Sequence, residues 1–591
     1  MPVGREIKID RRALLAAVGS LAVWRSRSFA APTGGRWVRP GEAGWPTQRE
    51  WTALGRTLST PLIRPTPLLS PCVANDVTSE VCQSRLRDLR NPYFLGDQAG
   101  GTQVSGWFEA WTPQLSAYAV LAQTSRDVAK AVEFARHHKV RLVVKGGGHS
   151  YQGTSNAPDS LLIWTRRMRR IELHDDFRPT GAATGMGPAV SVGAGCMWLD
   201  VYDAVTTKAG RYVQGGGCAT VGVAGLVQSG GFGSFSKRFG IACASLVEAE
   251  VVTADGQVRR VNANQDPELF WALKGGGGGT FGIITRLTLR THSLPQWFGS
   301  ANATIRAQTD ESFVRLVSRF LQFYFERLHG PAWGESVKLR PDNRLEISLV
   351  QSGLDRQACE QLWNDFFRTV GADHELSFED APRIAVRLAR SWWDVDTRER
   401  QGSSAFVRDT RAEAEPGHAW WSGDQEQVSA FLHGYESVWL PAPLLLPDAR
   451  ATLASALVAA SRKLPVQLHF NKGLSGAPPD VLAAASDTAM NPCVLDAFAL
   501  AIVAAGGAPA FTELGQVIDA DVARRNAQAV KAAAAELRRI APEAGSYLSE
   551  SDYFNVRWRS DYWGQNHGRL ERIKRRYDPS NLFVVHHGVT E

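Results

Sequence analysis

The sequence predicts an α+β protein of at least two domains, on three observations. A β-α-β unit near residue 120 runs directly into a triple glycine, short strands and further glycine clusters follow to about residue 296, and from 297 to about 540 strands alternate with long amphipathic stretches. With 591 residues and 44% hydrophobic composition, the chain can bury more than one core.

The elements follow in order. Residues 31–111, rich in Pro, Gly and Trp without periodicity, read as an extended segment lying over something larger. Residues 118–121 form an apolar strand. Thr124 then caps a helix whose Val128, Val132 and Ala135 keep helical spacing. Leu142, Val143 and Val144 make the next strand, which ends at Gly146, and ligands commonly bind where such strands end. Strands are expected at 189–192, 245–253 and 282–289, and long amphipathic stretches run through 311–325 and 520–540. The last fifty residues, dense in Tyr, Trp, Asn and Arg, read as a return segment.

The charge pattern excludes some functions. The net charge is +7, but six Lys or Arg against Glu6 and Asp10 in the first 30 residues carry more than half of it. The remainder leaves no electrostatic footprint for nucleic acid. Those first residues read as an export signal: Arg11-Arg12 precede an apolar run to Val23, and Ser28-Phe29-Ala30 ends in a small-residue cleavage pattern. The run of ~11 apolar residues falls short of the ~20 that a membrane span needs. Seven cysteines leave at least one unpaired in an oxidising compartment, and Cys72 with Cys82 can bridge each other. His586-His587 lacks a third ligand at recognisable spacing, so no metal site is assigned. Nothing in the sequence sets an oligomeric state.

Three glycine clusters lie within ~130 residues: Gly146 to Gly148, the dense stretch from Gly215 to Gly233, and Gly275 to Gly279. Backbone N–H groups in such loops suit a pyrophosphate. Neither the Rossmann fingerprint nor the P-loop is present, so nicotinamide and ATP chemistry are disfavoured.

Here the motifs carry a resemblance. Lys145-Gly146-Gly147-Gly148-His149-Ser150, Gly217-Cys218-Ala219-Thr220-Val221-Gly222 with Gly225, and Leu269 to Gly282 resemble the FAD domain of the vanillyl-alcohol-oxidase superfamily, in particular the berberine bridge enzyme-like oxidases. Tyr562 to Leu570 and Tyr577 to Phe583 are similar to that family's C-terminal signature. The resemblance implies a two-subdomain, PCMH-type FAD-binding domain at 112–296 and an α+β substrate domain at 297–540 whose antiparallel sheet covers the flavin. A berberine-bridge segment at 541–591 completes the chain.

The resemblance also assigns residues. FAD would bond covalently through His149 to the flavin 8α-methyl group and through Cys218 to flavin C6. Contacts would come from Lys145, Gly146, Gly147, Gly148, Ser150, Gly153, Gly217, Thr220, Val221, Gly222, Gly225, Gly282, Ile283 and Asn581. Val221 stands where relatives carry valine when dioxygen reaches the reduced flavin. For the base, the resemblance implies a tyrosine or glutamate on strands of the substrate domain or in the return segment, and Tyr547 falls at the family's Tyr-x-Asn motif, although Ser549 replaces its Asn. His469 or Lys472, on a strand expected through 467–472, would polarise the substrate or lower the pKa of Tyr547. The expected partners are a small-molecule alcohol and dioxygen. A dehydrogenase using another acceptor, an oxidative cyclase and a flavin-binding module without turnover are the competing readings.

Overall fold

The computed structural model describes residues 37–74, 77–511 and 514–590. The expected signal at 1–30 lies outside the described residues. The fold is α+β, built on three larger sheets.

The first sheet is the predicted β-α-β unit. Strands Tyr118–Leu121 and Arg141–Lys145 both pair in parallel with Ser160–Trp164, and Leu62–Ile63 adds an antiparallel edge. Helix Ser125–His138 starts in a capping box, in which Thr124 accepts from the Asp127 amide and Asp127 accepts from the Thr124 amide. Its Val128, Val132 and Ala135 are buried against the sheet, as their spacing requires.

The second sheet is antiparallel. Val258–Asn262, Leu246–Val252, Ile283–Ser293, Ala189–Gly193 and Ile171–His174 lie in that order, and Arg211–Val213 pairs with the far end of Ile283–Ser293. The third has nine strands, with Trp297–Ala307, Trp333–Leu339, Arg344–Ser352, Val466–His469, Phe431–Pro441 and Ala497–Gly507 as its body. It is antiparallel except where Phe431–Pro441 meets the two-residue strand Gly106–Trp107. Helices Asp310–Phe323, Pro447–Ser461 and Ala520–Ile540 pack together on it.

Two expectations need correction. The segment 31–111 contains helices Gln48–Thr57, Ser70–Ala74, Glu80–Asp88 and Pro92–Gly96. Their caps Thr47, Ser79 and Asn91 start them locally, but five to ten residues are too few to display a period. The strand expected through 472 stops at His469 and turns into a 3-10 segment, Phe470–Lys472. Asn471 therefore leaves the face shared by Gln467 and His469 and donates to the Gly233 carbonyl at 3.2 Å. Cys72 and Cys82 form a disulfide. No helix among the described residues is long and apolar enough to cross a membrane.

Candidate active site

The three glycine clusters meet. A Cβ on Gly147 would lie 3.1 Å from the Gly222 amide nitrogen and 3.2 Å from the Thr220 carbonyl, and one on Gly222 would lie 3.0 Å from the Gly147 nitrogen. The two loops thus touch backbone to backbone, and only glycine allows that approach. The third loop joins through the Gly277 amide, which donates to the Gln228 carbonyl at 2.9 Å. Gly278 faces Gly225, whose own Cβ position is open. Beside these loops the Thr280 hydroxyl, the Gln228 side-chain oxygen and the Asn581 side-chain oxygen are buried without partners. Close-set glycine backbone with open faces and orphaned buried polar atoms fits the diphosphate and ribityl chain of FAD.

His149 and Cys218 stand on the two touching loops. The His149 Nε2 lies 3.3 Å from the Thr220 hydroxyl. Burial lowers the imidazole to about 4, so its ring is neutral and carries a free lone pair at physiological pH. Burial and the neighbouring Asp424 carboxylate push the Cys218 thiol up. The indole of Trp421 donates to the Gly217 carbonyl at 3.1 Å, which docks the turn Ser422–Glu426 against Cys218.

Charged groups from four separate segments face the same place. Lys472 is paired with Glu550 at 2.7 Å, with side chains 11% and 20% exposed. The Ser234 hydroxyl donates to Glu335, whose carboxyl burial holds above the usual range. A Cβ on Gly217 would sit 3.7 Å from that carboxylate. Glu335 is a non-glycine residue at φ +69°, a costly conformation inside a strand, and such strain gathers at functional sites. Tyr151 donates to Gln427 at 2.8 Å, and its ring lies 5.3 Å from that of Tyr435.

The remaining expected residues have the following surroundings. Burial and the Glu550 carboxylate raise the Tyr547 hydroxyl, against smaller lowering by hydrogen bonds with Ser549 and the Gly231 backbone, and its ring packs edge-on to Phe232 at 5.1 Å. His469 is kept neutral by burial, then by Lys472 and Lys338, and its Nδ1 has no partner. Lys145 runs beside the first loop, where a Cβ on Gly148 would lie 3.0 Å from its Cε, and its ammonium donates to the Gln98 and Ala99 carbonyls, so it ties the N-terminal layer to that loop. Gly282 lets its strand approach Val251 and Val252, where a Cβ would sit 2.7 Å from the Val251 side chain, and Ile283 is core. Gly153, at φ +67°, makes room for the Trp111 ring, and Ser150 accepts from the Thr154 hydroxyl at 2.7 Å. Val221, partly buried, accepts from the Trp198 amide at 3.1 Å.

The return segment reaches the site. Trp563 donates to the Gly275 carbonyl at 3.0 Å, and the buried Lys574 ties the carbonyls of Thr280 and Phe583 together with Asp578. Glu335, Asp424, Glu550 and Tyr435 were not foreseen. The one local signal, Glu550 three residues after Tyr547, names no chemistry by itself.

Comparison with known proteins agrees with this geometry. Residues 116–262 match the FAD binding domain family, and 536–590 match the family described as berberine and berberine like. An FAD-linked oxidoreductase of Claviceps fusiformis is 28% identical over 95% of this chain and 91% of its own length. One of Trichophyton verrucosum is 39% identical over 43% of this chain and 45% of its own. A VAO-type flavoprotein of Myceliophthora thermophila shares the fold with a TM-score of 0.76, at 23% identity, covering 94% of this chain and 97% of its own. Glucooligosaccharide oxidase of Acremonium strictum, whose FAD is 6-S-cysteinyl and 8α-N1-histidyl, gives 0.62 at 18% identity over 88% of this chain and 98% of its own. Sequence relatives and family segments converge: the chain is an FAD-linked oxidoreductase that carries an FAD binding domain and a berberine and berberine like segment, in a fold shared with VAO-type flavoproteins.

Proposed function

We propose that this protein is a doubly covalent FAD oxidase that takes a hydride from an alcohol and returns the electrons to dioxygen. The observation that carries the reading is the contact between the His149 and Cys218 loops, bridged by Thr220. The doubly linked FAD of the Acremonium oxidase supports it. Bound FAD supplies the hydride acceptor.

The chain's own residues divide the remaining work. Glu550, held by Lys472, accepts the proton of the substrate hydroxyl, in place of the tyrosinate expected at Tyr547. Tyr151 and Tyr435 form an aromatic wall suited to an aromatic alcohol, a sugar or a ring-bearing secondary metabolite. Val221 leaves dioxygen a way in. The Cys72–Cys82 disulfide suits the exported location that Arg11-Arg12 and the following apolar run suggest.

Acid denaturation followed by visible spectroscopy and intact mass tests the attachment. Flavin absorbance remaining with the chain and a mass gain of one FAD support it, whereas colourless protein from a loaded sample overturns it. Substrate oxidation in air must then release hydrogen peroxide in step with oxygen uptake. Turnover that needs a quinone or another acceptor would remove the oxidase assignment.

A further inference from the structure

A cysteine that bonds to carbon must lose its proton to something, and three carboxylates stand around Cys218. Two of them are already engaged: Glu550, paired with Lys472 at 2.7 Å, with the substrate hydroxyl in the reading above, and Glu335 with the Ser234 hydroxyl. Asp424 is not. Its Oδ2 is buried without a partner, and its carboxylate faces the Cys218 thiol and the Ala219 amide. Trp421, three residues earlier, fixes that approach through its hydrogen bond to the Gly217 carbonyl.

We propose that Asp424 is the base that takes the Cys218 thiol proton as the sulfur bonds to flavin C6, an attachment role separate from substrate oxidation. The inference rests on the reading that Cys218 is linked to the flavin. The S–H bond breaks towards Asp424 and an S–C6 bond forms. The C6 hydrogen leaves as a proton and the electron pair stays on the ring. Dioxygen then removes the two electrons and, with two protons, leaves as hydrogen peroxide. Burial raises Asp424 to about 6, a value that keeps it ionised near neutrality yet basic enough to accept a proton. The titratable groups facing it are Cys218, Glu335 and Tyr151, while Lys472 and Glu550 face Cys218.

The test is a peptide map of full-length wild-type, Asp424→Asn, Asp424→Glu and Cys218→Ser proteins, digested after acid denaturation and iodoacetamide treatment. The wild type is expected to give the His149 and Cys218 peptides joined through one flavin. Asp424→Asn is expected to carry flavin on the His149 peptide alone with Cys218 alkylated, as an intact fold would allow, and Asp424→Glu to restore the double link. Apoprotein from a riboflavin-starved host, mixed with FAD in air, is expected to form the sulfur bond faster as pH rises through about 6, an inflection absent in Asp424→Asn. Double linkage in Asp424→Asn at the wild-type rate would sink the proposal. A wild type linked only through His149 would instead remove the underlying reading, and this inference with it.

Discussion

The two sides of the site are made in different ways. On the cofactor side, loops from 146–148, 215–233 and 275–279 interlock through backbone, with Gly147 and Gly222 so close that neither accepts a side chain. On the facing side the backbone is sheet and turn, left-handed at Glu335 alone of the four charged residues, and charge does the work: Glu335, Asp424, Lys472 and Glu550 converge from four segments. One half is specified by shape, the other by electrostatics. The two should therefore fail differently when altered.

The largest effect is expected on the charged side. Glu550→Gln keeps the size of the side chain but removes the proton acceptor, so flavin reduction by substrate should fall about 10²- to 10⁴-fold. Flavin loading should stay intact, which anaerobic stopped-flow and the visible spectrum read separately. Equal loss of loading would mean that Glu550 holds the cofactor, and the contrast between the halves would collapse. Gly222→Val should do the reverse. Its branched side chain enters a gap in which even a Cβ would lie 3.0 Å from Gly147, so flavin incorporation should be lost along with about 3 kcal/mol of stability.

This contrast also explains what could be read from the sequence. Glycine clusters are visible because no other residue satisfies such close backbone, so Gly147, Gly222, His149 and Cys218 announce their loops without a structure. The β-α-β unit is equally visible, since Thr124 caps and Val128, Val132 and Ala135 repeat within one element. Glu335, Asp424 and Glu550 are single acidic residues among many, and only folding brings them together. Lys145 adjoins the glycine loop in sequence, and only the fold shows its ammonium reaching to Gln98. The short helices of the N-terminal layer escape because each owes its start to one capping residue.

That N-terminal layer belongs to neither half, and its disulfide gives a control. Replacing Cys72 and Cys82 by serine opens a loop of sequence separation 10, which should cost about 2–3 kcal/mol in a denaturant melt. Flavin attachment and the rate of flavin reduction should not change. A change in either would show that the layer shapes the site from a distance.

The last effect concerns acid, and it too separates shape from charge. Burial lowers His586 to about 4, and it donates to the Tyr553 carbonyl at 2.7 Å while stacked on that ring. A histidine with a depressed folded pKa contributes its full share of stability above the unfolded value of about 6.5, and that share is lost as pH falls towards about 4, because the unfolded chain binds the proton more readily. Its contribution to the slope is therefore positive with pH, at about 1.4 kcal/mol per unit inside that window. His586→Phe keeps an aromatic ring against Tyr553 but cannot titrate. Whatever it costs at pH 7, its stability should fall less steeply than wild type between pH 6.5 and 4.5 in chemical denaturation series. Parallel slopes would mean that His586 is protonated in the folded state, with Tyr553 and its neighbours stabilising a charge that their packing otherwise excludes.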